Sequence, residues 1–226
     1  LRSGLRNVRG VAPSSNKQEK VVYGTASLDA TITGTEPDYF TVQDWPLLTG
    51  NSFSESDSRS GTNVCVVGAT LVKDLFAGVD PLGETMRVGS MPCTVVGTLS
   101  AKGQSAFGSD QDNTVVMPLR TYLRRIAGNT RISTIAISAN TPDDLAPVQA
   151  TIVDILRETR RVGENEDDDF SVRDLTQLAS TMSSTTSLMT GLLGAVAAVS
   201  LLVGGIGIMN IMLVSVAERT REIGIR

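Results

Sequence analysis

LMTGLLGAVAAVSLLVGGIGIMNIMLVSVA, Leu188 to Ala217, decides how this chain is built. It lies within a longer stretch, between Asp174 and Glu218, that carries no charged side chain. Only Thr190, Ser200, Asn210 and Ser215 interrupt it with polar groups. A membrane-crossing helix needs about 20 mostly apolar residues, and this run exceeds that by several turns. The core helix of a soluble protein rarely stays uncharged for so long. A signal peptide is excluded by position, because the run lies at the C-terminal end. Arg219, Arg221 and Arg226 follow it at once, whereas Asp174 and the acidic Glu164, Glu166, Asp167, Asp168 and Asp169 precede it. The excess of positive charge on the C-terminal side predicts a cytoplasmic C-terminus and an extracytoplasmic part over residues 1–187 of a plasma-membrane (inner-membrane) protein.

The expected outer part holds 22 acidic and 17 basic residues, a net charge of −5, which excludes a nucleic-acid binder. With no histidine and two cysteines the chain cannot supply the usual four-ligand zinc site, and no metal or cofactor is expected in it. The missing histidine also removes the commonest general base, so no catalytic residue is assigned and the chain is not read as an enzyme. Cys65 and Cys93 sit in strand-like runs, NVCVVG and PCTVVG, where a disulfide and buried free thiols are both open. Leu1 is not an initiator and Arg226 stops within a pattern, so both ends are expected to continue in a longer polypeptide.

The outer part reads as mixed α and β. Lys20–Tyr23 and Leu28–Thr33 flank a turn at Gly24, and Thr35 is expected to cap a helix with Pro37 in its first turn. The polar stretch Asn51–Asn63 marks a subdomain boundary. A strand at Val64–Val67, a helix at Ala69–Phe76, a turn at Asp80–Gly83 and strands at Glu84–Val88 and Met91–Leu99 follow. Ser100–Asn113 has the composition of a mobile loop, before a strand at Thr114–Met117 and a helix at Arg120–Ala127. A strand at Ile132–Ser138, an amphipathic helix at Asp144–Arg161 with Pro147 in its first turn, and a strand at Phe170–Val172 form a β-α-β unit. The predicted fold is thus an α+β region: one subdomain over 1–50 and 130–174, interrupted by a small α/β subdomain over 51–129.

Asp174 and Gln177 have the spacing of a capping box, opening a Ser- and Thr-rich helix over 175–187 with Leu175, Leu178, Met182 and Met189 at helical intervals. Too polar for lipid, it is expected to form a stalk continuous with the membrane helix over 188–217. As one rod, Leu175–Ala217 would be about 65 Å long at 1.5 Å per residue. Gly191 and Ala195, Gly194 and Ala198, and Ser200 and Gly204 are each four apart, and Gly204, Gly205 and Gly207 cluster in mid-span. Small residues let helix backbones approach, and Asn210 at membrane depth gains a hydrogen bond by facing another helix. Gly204, Gly205, Gly207 and Asn210 are therefore the candidate helix-packing residues.

LLVGGIGIMNIMLVSVAERTREIGIR, Leu201 to Arg226, resembles the second transmembrane helix and following segment of MacB-type ABC transporter permeases, within the wider FtsX-like family. GTEPDYF at Gly34–Phe40, the Leu48–Phe53 run, PLGETMRVGSMPCTVVG at Pro81–Gly97 and TVVMPL at Thr114–Leu119 resemble that family's extracytoplasmic domain. The resemblance implies a porter-like subdomain interrupted by a small α/β one, in a homodimeric permease driven by cytoplasmic ABC ATPase domains. It also implies a periplasmic adaptor and an outer-membrane duct as partners. ATP-driven closure is then relayed along stalk helices to the outer domains, a mechanotransmission that exports or extracts substrate. The phosphate-binding pattern GxxxxGK[ST] is absent, so the ATP-using domain is expected elsewhere. The match puts Glu218, Arg219, Thr220, Arg221 and Glu222, in the final 218–226 segment, against that ATPase. Regulation of an extracytoplasmic hydrolase, or lipoprotein release, are the alternatives the resemblance leaves open.

Overall fold

A computed structural model describes residues 4–105, 108–163 and 167–224. Eight strands, β1 (Val8–Tyr23), β2 (Ala26–Thr35), β3 (Leu47–Gly50), β4 (Val64–Val67), β5 (Thr85–Val88), β6 (Met91–Leu99), β7 (Thr114–Pro118) and β8 (Thr134–Ala139), form one sheet. Among the described residues six α-helices accompany them: α1 (Tyr39–Val42), α2 (Glu55–Ser60), α3 (Ala69–Asp74), α4 (Leu119–Tyr122), α5 (Leu145–Arg160) and α6 (Leu175–Gly224). The chain divides into two compact units at Asp167 and Asp168, one holding all the strands and the other holding α6.

In the first unit the path β2-β7-β4-β6-β5-β1 closes on itself, because β1 also pairs with β2 from Ser14↔Thr35 to Tyr23↔Ala26. Closure leaves these six strands without the open hydrogen-bonding edges that invite aggregation. β8 adds to the first half of β1, and β3 adds to β6. Both β1 and β2 therefore serve the stretches read as an interrupted domain and its insert: β1 pairs with β8 and with β5, and β2 with β7.

Two apolar clusters lie on alternate sides of the strands, following the two-residue period of a strand, which the irregular step between Val95 and Gly97 resets on β6. The larger gathers Val21, Ile32, Cys65, Val67, Met86, Val95, Val115 and Met117 with Leu71, Phe76 and Tyr122. The smaller gathers Val66, Leu99 and Val116 with Phe40, Trp45 and Phe53. Gly34 is required where α4 meets β2, since a Cβ there would lie 2.3 Å from Cβ and Cγ of Tyr122. Cys65 and Cys93, both buried, are joined by a disulfide with Cα atoms 6.0 Å apart.

Several expectations need correction. The early hairpin is far longer than Lys20–Tyr23 and Leu28–Thr33; its turn is Gly24-Thr25, with Gly24 at φ 57°. Thr35 caps no helix: it ends β2, and its hydroxyl donates to the Pro13 carbonyl at 2.8 Å, while α1 starts only after Asp38. The boundary stretch Asn51–Asn63 contains α2, closed by a capping box in which Ser54 and Asp57 satisfy each other's backbone amides. These hydrogen bonds hold the Asp57 carboxyl below the usual aspartate range, the Ser54 hydroxyl first among them. The helix expected over Arg120–Ala127 begins at Leu119 and widens into a π-helical turn over Leu123–Ala127, ended by Gly128 at φ 65°. Phe170–Val172 is not a strand, so α5 is followed by no β partner there. Glu164 and Glu166, in the acidic run, lie outside the described residues.

The stretch read as a mobile loop, Ser100–Asn113, is held at its two ends, while Ala106 and Phe107 lie outside the described residues. Asp112, 6% exposed, accepts from the Lys102 amide at 2.8 Å and the Gly103 amide at 2.9 Å. The Lys102 ammonium donates to the Gln43 carbonyl at 2.7 Å and sits 4.7 Å above the Trp45 ring. Trp45 in turn donates to the Ser100 carbonyl at 2.7 Å.

Candidate functional site

α6 continues without a break from Leu175 to Gly224, 50 residues, which is about 75 Å at 1.5 Å per residue. Ser180–Ala217 is long and apolar enough to cross a membrane by length and composition, and none of its most apolar window is buried against the rest of the chain. Six hydroxyls in it bond within the helix. Thr181 donates to Gln177, Ser184 to Ser180, Thr185 to Thr181, Thr186 to Met182, Thr190 to Thr186 and Ser200 to Val196, each at 2.9–3.0 Å to a carbonyl one turn back. This internal bonding makes a Ser- and Thr-rich segment compatible with apolar as well as aqueous surroundings.

The helical period sorts the small residues that the sequence groups together. With about 100° between successive residues, Gly191, Gly194, Ala195, Ala198 and Gly205 share one face. Ser200, Gly204 and Gly207 share the opposite face. Gly204 and Gly205, neighbours in sequence, thus belong to different faces. An apolar groove follows the first, lined by Ala198, Leu202, Gly205 and Met209 among others. A Cβ added at Gly191, Gly194, Gly204, Gly205 or Gly207 would meet nothing within 4 Å. Asn210 is exposed beside Gly207, and its amide makes no side-chain hydrogen bond among the described residues. The four candidate packing residues therefore lie on one helix without forming one patch.

Beyond the apolar span the helix backbone carries on through Glu218–Glu222. Thr220 donates to the Val216 carbonyl at 2.8 Å, and Arg219 is exposed. The side chains of Glu218, Arg221 and Glu222 lie outside the described residues, as do Ile225 and Arg226 altogether. In the first unit, the Trp45, Lys102 and Asp112 lock is a feature that sequence reading missed; the sole tryptophan, placed after Asp44, was the available signal. Among the described residues no group of three or more metal-ligating side chains comes together.

Residues 1–155 match the family described as the MacB-like periplasmic core domain. This chain belongs to that family. A macrolide export ATP-binding/permease protein MacB of Rhodospirillum rubrum is 44% identical over 197 residues, covering 87% of this chain and 30% of that protein. The corresponding protein of Syntrophobacter fumaroxidans is 36% identical over 273 residues, 97% of this chain and 38% of its own length. The chain thus spans about a third of the curated relatives it matches. The fold is shared with the periplasmic region of MacB from Actinobacillus actinomycetemcomitans, at a TM-score of 0.67 and 23% identity over 80% of this chain and 79% of that one. It is shared also with the extracellular domain of the ABC-type transporter YknZ from Gram-positive bacteria, at a TM-score of 0.61 and 20% identity over 72% and 81%. A MacB-like periplasmic core domain followed by a long apolar helix is the architecture of this protein.

Proposed function

We propose that the chain is the extracytoplasmic domain and second membrane helix of an ATP-driven transporter permease, and that it transmits force. The observation that carries this reading is the unbroken α6, which runs from a hydroxyl-rich segment through the apolar span into ERTRE at Glu218–Glu222. A rigid rod moves its far end when its near end is displaced, which is what a relay between two compartments needs. ATP hydrolysis in a cytoplasmic ABC ATPase domain closes a permease homodimer, and the helices carry that motion to the outer domains, which drive export of substrate. The relatives' name, ATP-binding/permease protein, supports pairing with such an ATPase, and the fold likeness to the MacB periplasmic region supports an outer-domain role facing an adaptor and an outer-membrane duct. The inner membrane is the corresponding location, with the C-terminus in the cytoplasm. In this reading Glu218, Arg219, Thr220, Arg221 and Glu222 abut the ATPase through charge-assisted contacts, while Gly204, Gly205, Gly207 and Asn210 face neighbouring helices.

The test is Arg221→Glu in the full-length protein. Loss of one buried charge-assisted contact costs about 2–5 kcal/mol, enough to separate hydrolysis from export by more than tenfold. ATPase activity in reconstituted protein and export in cells are measured side by side, with Arg9→Glu, an exposed position on β1, as control. Export by Arg221→Glu equal to that of the control would remove the segment from force transmission.

A further inference from the structure

β4 is apolar on both of its faces, and this leaves its register poorly specified. Cys65 and Val67 enter the larger cluster, and Val66 enters the smaller. Register is normally set because a one-residue slip exposes an apolar face and buries a polar one. In Val64-Cys65-Val66-Val67 such a slip exchanges one small apolar side chain for another, so burial scarcely opposes it. Its neighbours hold it at few points, among them Gly68 just after the strand, whose amide donates to the Thr114 carbonyl at 2.9 Å. β4 meets β7 at only two pairs, Val66↔Val116 and Val67↔Val115, and β7 is itself buried along its whole length. Its parallel pairing with β6 changes register between Cys65 and Val66, from Cys65↔Val95 to Val66↔Gly97.

The disulfide stands at this point. Cys65 begins the irregular step on β4, and Cys93 lies on β6 two residues before Val95. We propose that the Cys65–Cys93 disulfide is a register pin: it selects one pairing of β4 with β6 where apolar patterning does not, and it is made before the ring of strands closes. Both cysteines are at most 1% exposed in the folded unit, so a protein oxidant reaches them only earlier. The donor is a dithiol-disulfide oxidoreductase in its disulfide form. One cysteine thiolate attacks a donor sulfur and expels the other donor sulfur as thiolate. The second cysteine thiolate then attacks the mixed disulfide and releases the donor as its dithiol. Two electrons pass to the donor, and the two cysteine protons end on its sulfurs. Such chemistry persists outside the cytoplasm, so the inference rests on the extracytoplasmic placement proposed above.

Alkylation of the purified full-length protein in denaturant tests it, first without reductant and then with reductant. The expected result is no label in the first case and label on both cysteines in the second. The double variant C65A/C93A is expected to raise the unfolding equilibrium constant on the order of 10²–10³-fold, the effect of freeing a loop whose ends are 28 residues apart. Amide exchange in β4 and β6 should rise more than in β1 and β2. Label on the denatured protein without reductant, or a double variant within tenfold of wild type with unchanged exchange in β4, would overturn the proposal. If the double variant does not fold, the alkylation result on wild type decides alone. Protease added to spheroplasts reports the compartment of the outer domain without touching the thiols, so a cytoplasmic domain and an extracytoplasmic domain lacking the bond give different results.

Discussion

Asp112→Ala isolates the interaction that turns a glycine- and serine-rich loop into an ordered one. The wild-type carboxylate is buried, and its two oxygens each accept a separate backbone amide, Lys102 at 2.8 Å and Gly103 at 2.9 Å. Hydrogen bonds to a charged group contribute about 1.5–3 kcal/mol each, and a donor left buried without a partner costs about 1–3 kcal/mol. Lys102 and Gly103 are themselves exposed, so water recovers part of that loss in the variant. The expected net destabilisation is therefore about 2–4 kcal/mol, below the sum of the two bonds. At about 2–4 °C per kcal/mol for a unit of this size, the melting temperature should fall by roughly 5–15 °C. Amide exchange at Lys102 and Gly103 should accelerate, and Trp45 fluorescence should change as Lys102 leaves its ring. Asp112→Asn, which keeps one acceptor and turns an amide group toward the second donor, should fall between the two. If Asp112→Ala melts within 2 °C of wild type, taken as about 1 kcal/mol, and both amides keep their exchange rates, the carboxylate does not order the loop.

Other perturbations probe the α2 cap and α6. Because Asp57 is held below its ordinary range in the folded state, the cap stabilises above the unfolded aspartate pKa and weakens as pH falls through the lower folded value. α2 should accordingly show faster exchange under acid, a dependence that Asp57→Ala removes; an Asp57→Ala protein with the wild-type acid response would refute the assignment. Gly205→Leu and Gly204→Leu alter opposite faces of α6, so crosslinking between full-length protomers should respond differently to the two changes. Equal crosslinking and equal export in both, unchanged from wild type, would mean that neither face packs against a helix.

What could be read from the residues, and what could not, follows from how far away the stabilising partners lie. β4 and β6 are legible because Val64–Val67 and Met91–Leu99 are apolar runs bounded by turn residues. The middle of β1 is not, because Ser14, Ser15, Asn16, Lys17 and Gln18 have little strand propensity and Pro13 precedes them. They are extended because β2 and β8 supply backbone partners from 13 to more than 100 residues away in sequence. The bonds that hold the ends of the loop before β7 escape sequence reading for the same reason: they come from a carboxylate and from Gln43 and Trp45, not from local composition. α6 is legible from Leu175 to Ala217 because its signals, apolarity and absence of charge, are local; its continuation through the charged residues to Gly224 is not. The division of its glycines between two faces was equally present in the sequence and emerges once the helical period is applied residue by residue.

The glycines of α6 also bear on whether it can act as a rod. Three glycines in four positions, Gly204, Gly205 and Gly207, would be the weakest point of such a helix in water, at about 1 kcal/mol each relative to alanine. No proline occurs between Leu175 and Arg226 to add a second defect. A bilayer reverses the balance. Opening the helix there would expose backbone amides and carbonyls to hydrocarbon, at several kcal/mol for each group left unpaired, which exceeds the summed glycine penalty of about 3 kcal/mol. In lipid the segment therefore stays helical although its composition would favour a hinge in water, and its small residues leave room for neighbouring backbones without making it compliant. The hydroxyl-rich first turns need no bilayer for this, because Thr181, Ser184, Thr185 and Thr186 each donate to a carbonyl one turn back. Stiffness on the membrane side thus comes from the solvent, and continuity on the outer side comes from hydroxyls bonded within the helix.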